Sequence, residues 1–351
     1  MTRLAEPGWT ASTGAPAVAA PLRAMDHWRS ERDNGRLTLT VRVAVRGDDP
    51  NLRGHFPGLA IFPGVFVIEA LCQAMAHAFG ADTGRPPVLR AVRSVRFLAP
   101  LLDGDELTLQ ASVAPRPDGG WSVSAVGTRR DTTTTARVRA DFDPPGSPGA
   151  PGNASTATAA QARPAAQARP AVREHVDVRA VLPQRHPLLL VDRVLDIDPG
   201  RSIQTIKAIS GTEPCYAALP DGAEPWRYDY PCSLLIESLG QSAALLWLDG
   251  QRPAPEDGLV LMFAGARSFR FVAAARPGDV LRHEVRLDSV IAGTAFASGR
   301  TWVGDRLVSN VDSLVATRRP VRAHGSALSE MDGAWGSSTD GLVSLLGEGS
   351  R

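Results

Sequence analysis

PGVFVIEALCQAMA, residues 63–76, has a counterpart later in the chain, PCSLLIESLGQSAA, residues 231–244. Both stretches begin with proline, carry a glutamate six residues later and a glutamine four residues after that. Proline suits the first turn of a helix, where its missing N–H would be unpaired in any case. The other residues are apolar on almost every side, which is typical of a buried helix. The repeat therefore predicts two helices, each enclosed by protein.

A second repeat pairs SVRFLAPLLDGDEL, residues 94–107, with SFRFVAAARPGDVL, residues 268–281. The S-x-R-F start and the Gly-Asp turn have equal spacing and predict strand, turn and strand. Alternating apolar and polar residues at 132–142 and 306–318 predict a long strand that ends each half. A strongly curved antiparallel sheet around one apolar helix buries that helix on all sides. The predicted fold class is α+β, a double hotdog in which two tandem hotdog domains form a pseudo-dimer.

Composition divides the chain into the two repeats and three connecting or terminal segments. Residues 144–173 are dominated by Pro, Ala, Gly, Ser and Thr and predict a semi-stiff linker. Residues 1–25 and 321–351 are predicted to be flexible. The hotdog domains are accordingly expected at residues 26–143 and 174–320.

The bulk properties exclude several classes of protein. The 351 residues are 43% hydrophobic and 21% charged, with a net charge of +1, which argues against binding to nucleic acid or an anionic membrane. Cys72, Cys215 and Cys232 are odd in number and lack CxxC spacing, which argues against a disulfide framework and a structural zinc site. There is no long apolar run and no signal-peptide core, so a cytoplasmic location is expected.

The segment at residues 48–73 resembles the signature of the 3-hydroxyacyl-acyl-carrier-protein dehydratases of fatty-acid synthesis. GHFPG at residues 54–58, PGV at 63–65 and the following I-E-A with its glutamine have that family's spacing. LPQRHPLLLVDRVLDIDPGRSI, residues 182–203, resembles the family's opening segment. The resemblance implies removal of water from a (3R)-3-hydroxyacyl thioester, giving a 2-enoyl thioester. The tandem form is similar to the dehydratase domains of modular polyketide synthases.

Active sites of this family lie between two hotdogs, with a histidine from one and an acidic residue from the other. His55 has no counterpart in the second half, since no histidine occurs between His186 and His283. The resemblance therefore implies one active site, built from His55 and Glu237. Glu69 is a secondary candidate, expected to face a pocket that has lost its base.

Dehydration needs a base for the C2 proton and an acid for the C3 hydroxyl. Neutral imidazole makes His55 the expected base. An apolar helix favours a protonated carboxyl, so Glu237 is the expected acid. By the family pattern, the N–H of Gly64 donates to the thioester oxygen, and Gln241, one helical turn after Glu237, bonds the carboxyl or the departing hydroxyl.

The remaining expected contacts are with substrate and carrier protein. Residues of the two motifs are expected to bind substrate: Phe56, Pro57, Gly58, Phe62 and Pro63. Arg96 and Arg270 of the S-x-R-F repeats are candidates for contact with the acidic carrier protein or its phosphopantetheine phosphate, and solvated strand ends are the alternative. No metal or organic cofactor is expected, because the substrate is presented on the phosphopantetheine of an acyl carrier protein.

Several alternatives remain open at this point. The hotdog scaffold also hosts thioesterases and acyl-CoA hydratases, so the fold alone does not decide the reaction. A non-catalytic scaffold that binds acyl carrier protein is a third possibility. Glu69 could serve His55 in a homodimer formed through the first halves. The chain is expected to be either a monomeric pseudo-dimer or a homodimer of double hotdogs.

Overall fold

A computed structural model describes most of both repeats: residues 8–12, 18–22, 24–33, 36–146, 173–249 and 259–320. The predicted tail at 321–351 lies outside the described residues, as do residues 147–172 of the predicted linker and part of the N-terminal segment.

The described residues form four α-helices and thirteen strands. The helices are α1 Pro50–His55, α2 Val65–Thr83, α3 His175–Val181 and α4 Cys232–Leu248. The strands of the first half are β1 Thr10–Ala11, β2 His27–Asp33, β3 Arg36–Ala44, β4 Val88–Phe97, β5 Glu106–Pro115, β6 Trp121–Thr128 and β7 Thr134–Asp143. Those of the second half are β8 Arg193–Asp198, β9 Ser202–Ala208, β10 Leu259–Phe271, β11 Val280–Ile291, β12 Thr294–Val303 and β13 Arg306–Pro320. None of the described helices is both long and apolar enough to cross a membrane.

One antiparallel sheet contains all thirteen strands, in the order β1-β2-β3-β5-β6-β7-β4-β10-β13-β12-β11-β9-β8. The order from β2 to β4 is repeated in reverse from β10 to β8, so the two halves are related by a pseudo-twofold axis. They join where β4 pairs with β10, in a register that places Arg267 opposite Ser94. This seam is the line along which the halves meet in the sheet.

The two predicted helices are the cores of the halves. In α2, Phe66, Ile68, Leu71 and Met75 have no exposed surface. In α4, most residues are also buried, including the polar Ser238. Burying one such large apolar side chain stabilises the fold by about 1.5–3 kcal/mol. The prediction of two enclosed helices is confirmed.

The segment just before β2 differs from the prediction of a flexible N-terminus. Ala24 and Met25 have no exposed surface. The Ala24 N–H donates to Oε1 of Gln73 over 3.0 Å, and Nε2 of Gln73 donates to the Leu22 carbonyl over 3.0 Å. Ala24 and Met25 are therefore packed, and Leu22 and Ala24 are held by a glutamine about fifty residues away in sequence, which local composition cannot reveal.

The sequence does contain a signal for this segment. PLRAMD at residues 21–26 matches PLLLVD at residues 187–192 in its Pro, Leu and Asp. Both aspartates have the same role: Asp26 accepts the N–H of Ala44, and Asp192 accepts the N–H of Ala208, each over 2.6 Å. The structural repeat therefore begins before residue 26.

Candidate active site

His55 is the last residue of α1, and one hydrogen bond orients its ring. Nδ1 lies 3.0 Å from the carbonyl oxygen of Ile61. A carbonyl can only accept, so in the neutral ring Nδ1 carries the proton and Nε2 has the free lone pair. The imidazole is therefore held in the tautomer that leaves Nε2 as a base.

Gly54 explains how the end of α1 can lie against the second half of the molecule. A Cβ at this position would be 2.8 Å from the carbonyl oxygens of both Arg185 and His186. The Arg185 N–H donates to the Gly54 carbonyl over 2.7 Å. Only glycine permits this approach, and it places the neighbouring His55 at the junction between the halves.

Glu237 lies on α4 with one carboxyl oxygen bonded. Nε2 of Gln241 donates to Oε1 of Glu237 over 2.9 Å and to the Leu188 carbonyl over 2.6 Å, while Oε1 of Gln241 accepts the Leu190 N–H over 2.8 Å. Oε2 of Glu237 has no hydrogen-bond partner within the part of the chain that the structure describes. The side chain of Glu237 is 9% exposed. The carboxyl thus has one fixed and one available oxygen.

His55 and Glu237 line the same cavity, although they belong to different halves. Burial lowers the pKa of His55 below its usual value, and the nearby Glu237 carboxylate and the Ile61 carbonyl oppose this shift. An opposing effect of this sign is expected from a carboxylate near the imidazole, on the other side of the junction between the halves. A buried base with a lowered pKa is neutral at pH 7.

The cavity combines an apolar wall with one backbone donor. Phe97, Leu261, Phe263 and Leu314, from strands beside the seam, form much of the apolar wall. Gly64 lies on the wall just before α2, and its N–H bonds to no acceptor among the described residues. A free N–H at a helix N-terminus is a favourable donor to a developing negative charge.

Glu69, the counterpart of Glu237, has a different environment. Nε2 of Gln73 donates to its Oε1 over 2.8 Å, and Oγ of Ser233 donates to its Oε2 over 2.7 Å. Burial raises the pKa of Glu69, and these two hydrogen bonds oppose the shift. Glu69 does not line the cavity that contains His55.

Of the other residues predicted to bind substrate, two line the cavity and three do not. Phe56 and Phe62 line the cavity with His55. Pro57 and Gly58 are exposed and Pro63 is buried, and none of the three reaches the cavity wall.

The predicted carrier contacts lie elsewhere on the molecule. Arg96 and Arg270 are exposed on β4 and β10, beside the seam. Arg96 lies directly across from Arg137 of β7, and Arg270 forms a 3.5 Å ion pair with Asp312.

Sequence reasoning missed two polar groups. Gln184 reaches the cavity wall, and its side chain is 8% exposed. Ser233, from the other half, donates a hydrogen bond to the carboxyl of Glu69. Their position next to known motif residues in sequence was the only available signal.

Comparison with protein-family models gives one match in each half. A model described as ApeI dehydratase matches residues 29–133, and a FabA-like domain matches residues 182–312. The 3-hydroxyacyl-[acyl-carrier-protein] dehydratase FabZ of Variovorax paradoxus (strain S110) is 36% identical over 139 residues, which are 40% of this chain and 90% of that protein. The FabZ of Chloroflexus aggregans (strain MD-66 / DSM 9485) is 33% identical over 146 residues, 42% of this chain and 96% of that protein.

Solved structures of similar fold cover both halves together. The dehydratase domain from the CurJ module of the curacin polyketide synthase has a TM-score of 0.55 at 13% identity, over 85% of this chain and 96% of that domain. The dehydratase domain from the terminal module of the rifamycin polyketide synthase has a TM-score of 0.52 at 20% identity, over 88% of this chain and 98% of that domain. At these identities the likeness shows the fold, and it confirms the double hotdog.

Proposed function

The chain belongs to the family of 3-hydroxyacyl-[acyl-carrier-protein] dehydratases, and from this premise we propose that it removes water from a (3R)-3-hydroxyacyl thioester at one active site, formed by His55 and Glu237. The product is the 2-enoyl thioester, and the reaction serves fatty-acid or polyketide-type biosynthesis. The observation that carries the proposal is that these two side chains, from opposite halves, line one cavity.

The first step is proton abstraction at C2. Nε2 of His55 takes the C2 proton, because Nδ1 is bonded to the Ile61 carbonyl and Nε2 has the free lone pair. Negative charge develops on the thioester oxygen, and the N–H of Gly64 donates to it. Loss of such a donor typically lowers the rate by about 10²- to 10³-fold.

The second step is departure of the C3 hydroxyl. Oε1 of Glu237 accepts the Gln241 N–H, so Oε2 is the oxygen that carries and donates the proton in this step. The C2 electron pair forms the C2–C3 double bond, the C3–O bond breaks, and the hydroxyl leaves as water with the Oε2 proton. The imidazolium of His55 then loses its proton and the Glu237 carboxylate regains one, which restores the site.

Intact-mass measurement of a 3-hydroxyacyl carrier protein incubated with the purified protein tests the reaction. Loss of one water is expected. Release of the free acid would instead indicate a thioesterase, and binding without a mass change would indicate a scaffold. Either outcome would contradict the proposal.

We also propose that Arg96 and Arg270 contribute to a basic surface that receives the acyl carrier protein. Arg96 and Arg137 are directly opposed on neighbouring strands, and like charges in that position destabilise a sheet unless an anion lies nearby. Arg139 and Arg267 flank Ser94 in the adjacent row, so both halves supply positive charge at the seam.

Charge reversal separates carrier contact from chemistry. Arg96→Glu and Arg270→Glu are expected to raise KM for the carrier-bound substrate, with little change for a short pantetheine thioester, because surface charges act mainly on encounter. Arg201→Glu, at an exposed turn far along the sheet, is the control and should leave both values unchanged. Equal effects on the two substrates would contradict carrier contact.

A further inference from the structure

We propose that Ser238, His283 and Thr301 are positioning residues that hold the carboxyl of Glu237 in place through the backbone of Leu190. The inference rests on the proposed function, because it concerns the acid of that reaction. These three residues are called the buried network below.

The buried network is a series of hydrogen bonds that runs from β12 through β11 to α4. Oγ1 of Thr301 lies 2.9 Å from Nδ1 of His283, and Nε2 of His283 lies 2.8 Å from Oγ of Ser238. Oγ of Ser238 donates to the Leu190 carbonyl over 2.7 Å. All three side chains have no exposed surface, so water does not compete for these bonds.

The number of protons available on each group determines which atom donates and which accepts in every hydrogen bond of the buried network. The only hydroxyl proton of Ser238 goes to the Leu190 carbonyl, so Ser238 accepts from Nε2 of His283. Burial lowers the pKa of His283 to about 3, so its ring is neutral at pH 7 and carries one proton. That proton is on Nε2, and Nδ1 therefore accepts from Thr301. Every donor has one acceptor, which favours a single arrangement of the chain.

Leu190 links the buried network to the acid. Its carbonyl accepts from Ser238, and its N–H donates to Oε1 of Gln241. The same Gln241 amide donates from Nε2 to Glu237. The orientation of the amide, and with it the direction in which Oε2 of Glu237 points, thus depends on where the Leu190 peptide lies.

The first half lacks this network, although its glutamine makes the same set of hydrogen bonds as Gln241. Gln73 bonds Leu22, Ala24 and Glu69 as Gln241 bonds its own partners. The positions that correspond to the buried network hold residues without polar side chains: Ala70, Leu109 and Gly127. The first half therefore folds without such a network, and among the described residues the network occurs in the half that supplies the proposed acid.

Replacement of Ser238 tests the inference, with kinetics on a carrier-bound or pantetheine-bound 3-hydroxyacyl substrate. Ser238→Ala is expected to lower kcat by about 10- to 100-fold with KM nearly unchanged, because a small misplacement of a catalytic group has that effect while the acyl pocket stays intact. The triple variant Ser238→Ala, His283→Leu, Thr301→Gly has the residue types that the first half carries at the corresponding positions. It also removes the histidine that Ser238→Ala alone would leave without its partner. It should fold and show the same loss.

Two further variants distinguish positioning from general stability. His283→Gln keeps a donor to Ser238 and should retain most of kcat. Thr205→Val with Ser242→Ala removes another buried hydroxyl pair, between β9 and α4, whose hydroxyls are 2.7 Å apart, and should lower Tm without lowering kcat.

Failure of this inference differs from failure of the proposed function. A wild-type protein that does not dehydrate the substrate contradicts the proposed function. An active wild type together with a folded triple variant of unchanged kcat overturns the positioning role, as does an equal loss of kcat in the Thr205 and Ser242 control.

Discussion

One hydroxyl group distinguishes the two glutamates of the repeat. Glu69 has both carboxyl oxygens bonded, to Gln73 and to Ser233. Val65, the residue that corresponds to Ser233 in the first half, has no hydroxyl to offer Glu237. Glu237 therefore keeps one oxygen available for a proton transfer, and Glu69 does not.

Matched amide substitutions compare the two carboxyls directly. Glu237→Gln is expected to lower kcat by about 10²-fold or more, because general acid–base catalysis typically contributes 10²- to 10⁴-fold. Glu69→Gln keeps the shape of a side chain outside the cavity and an oxygen that can still accept from Gln73, while the new amide N–H would donate to the Ser233 hydroxyl, so kcat should change little. His55→Ala is the reference for complete loss of the base. The reverse ranking of the two glutamine variants would place the acid at Glu69.

The titration of His55 gives a second test of the same site. Its pKa is lowered mainly by burial, so it should titrate below 6.5, and the acidic limb of kcat/KM should lie there as well. In the form in which Glu237 is ionised, its carboxylate stabilises the imidazolium and raises the pKa of His55, so Glu237→Gln, which cannot ionise, is expected to lower the His55 pKa further. NMR titration of the His55 ring measures both values. A pKa that rises in Glu237→Gln would show that the two groups are not coupled in this way.

At the scale of elements, each long helix fixes the segment that precedes the first long strand pair of its half. Gln73 of α2 bonds both Leu22 and Ala24, and Gln241 of α4 bonds both Leu188 and Leu190. The glutamines of the repeated motif thus satisfy buried backbone groups in both halves. In the second half the same amide also orients the proposed acid.

Replacing each glutamine by leucine separates these two roles. Gln73→Leu and Gln241→Leu should each lower the free energy of unfolding by about 2–6 kcal/mol, because two backbone groups lose their partners at about 1–3 kcal/mol each. Only Gln241→Leu should also lower kcat. Denaturant unfolding and steady-state kinetics give the two readouts, and an equal kcat loss in both variants would contradict a catalytic role for Gln241.

At the scale of the whole molecule, the proposed active site is expected to depend on the seam between β4 and β10. This strand pair joins the strands of the two halves into one sheet, and the two long helices also contact each other. His55 and Glu237 belong to different halves, so their separation follows from how the halves are joined.

Gly265 offers a way to disturb the seam alone. A Cβ at this position would lie 2.3 Å from the carbonyl oxygen of Val95, and backbone cannot move aside as a side chain can. Gly265→Ala is expected to destabilise the protein by about 1–3 kcal/mol and to lower kcat, since β10 must shift against β4. Gly211→Ala is the control, with only Pro277 within reach at 3.7 Å. Unchanged kcat in a measurably destabilised Gly265→Ala would show that the site tolerates movement of the seam.

The sequence by itself determined the two buried helices, the strand repeats and the chemical groups of the site. Apolar periodicity reports burial directly, and the repeat doubled that signal at residues 63–76 and 231–244. The sequence also shows directly that no histidine lies between His186 and His283. These features depend on residues close together in the chain.

Only the tertiary structure showed that both carboxyl oxygens of Glu69 are hydrogen-bonded while Oε2 of Glu237 is available. It also showed which groups position the carboxyl of Glu237. Ser233 and Glu69 are 164 residues apart, and the buried network draws its members from α4, β11 and β12. The hydrogen bonds from Gln73 of α2 to Leu22 and Ala24 were likewise visible only in the tertiary structure. Such bonds form only after strand pairing and helix burial bring distant polar groups within about 3 Å of each other, and no local pattern in the sequence records that distance.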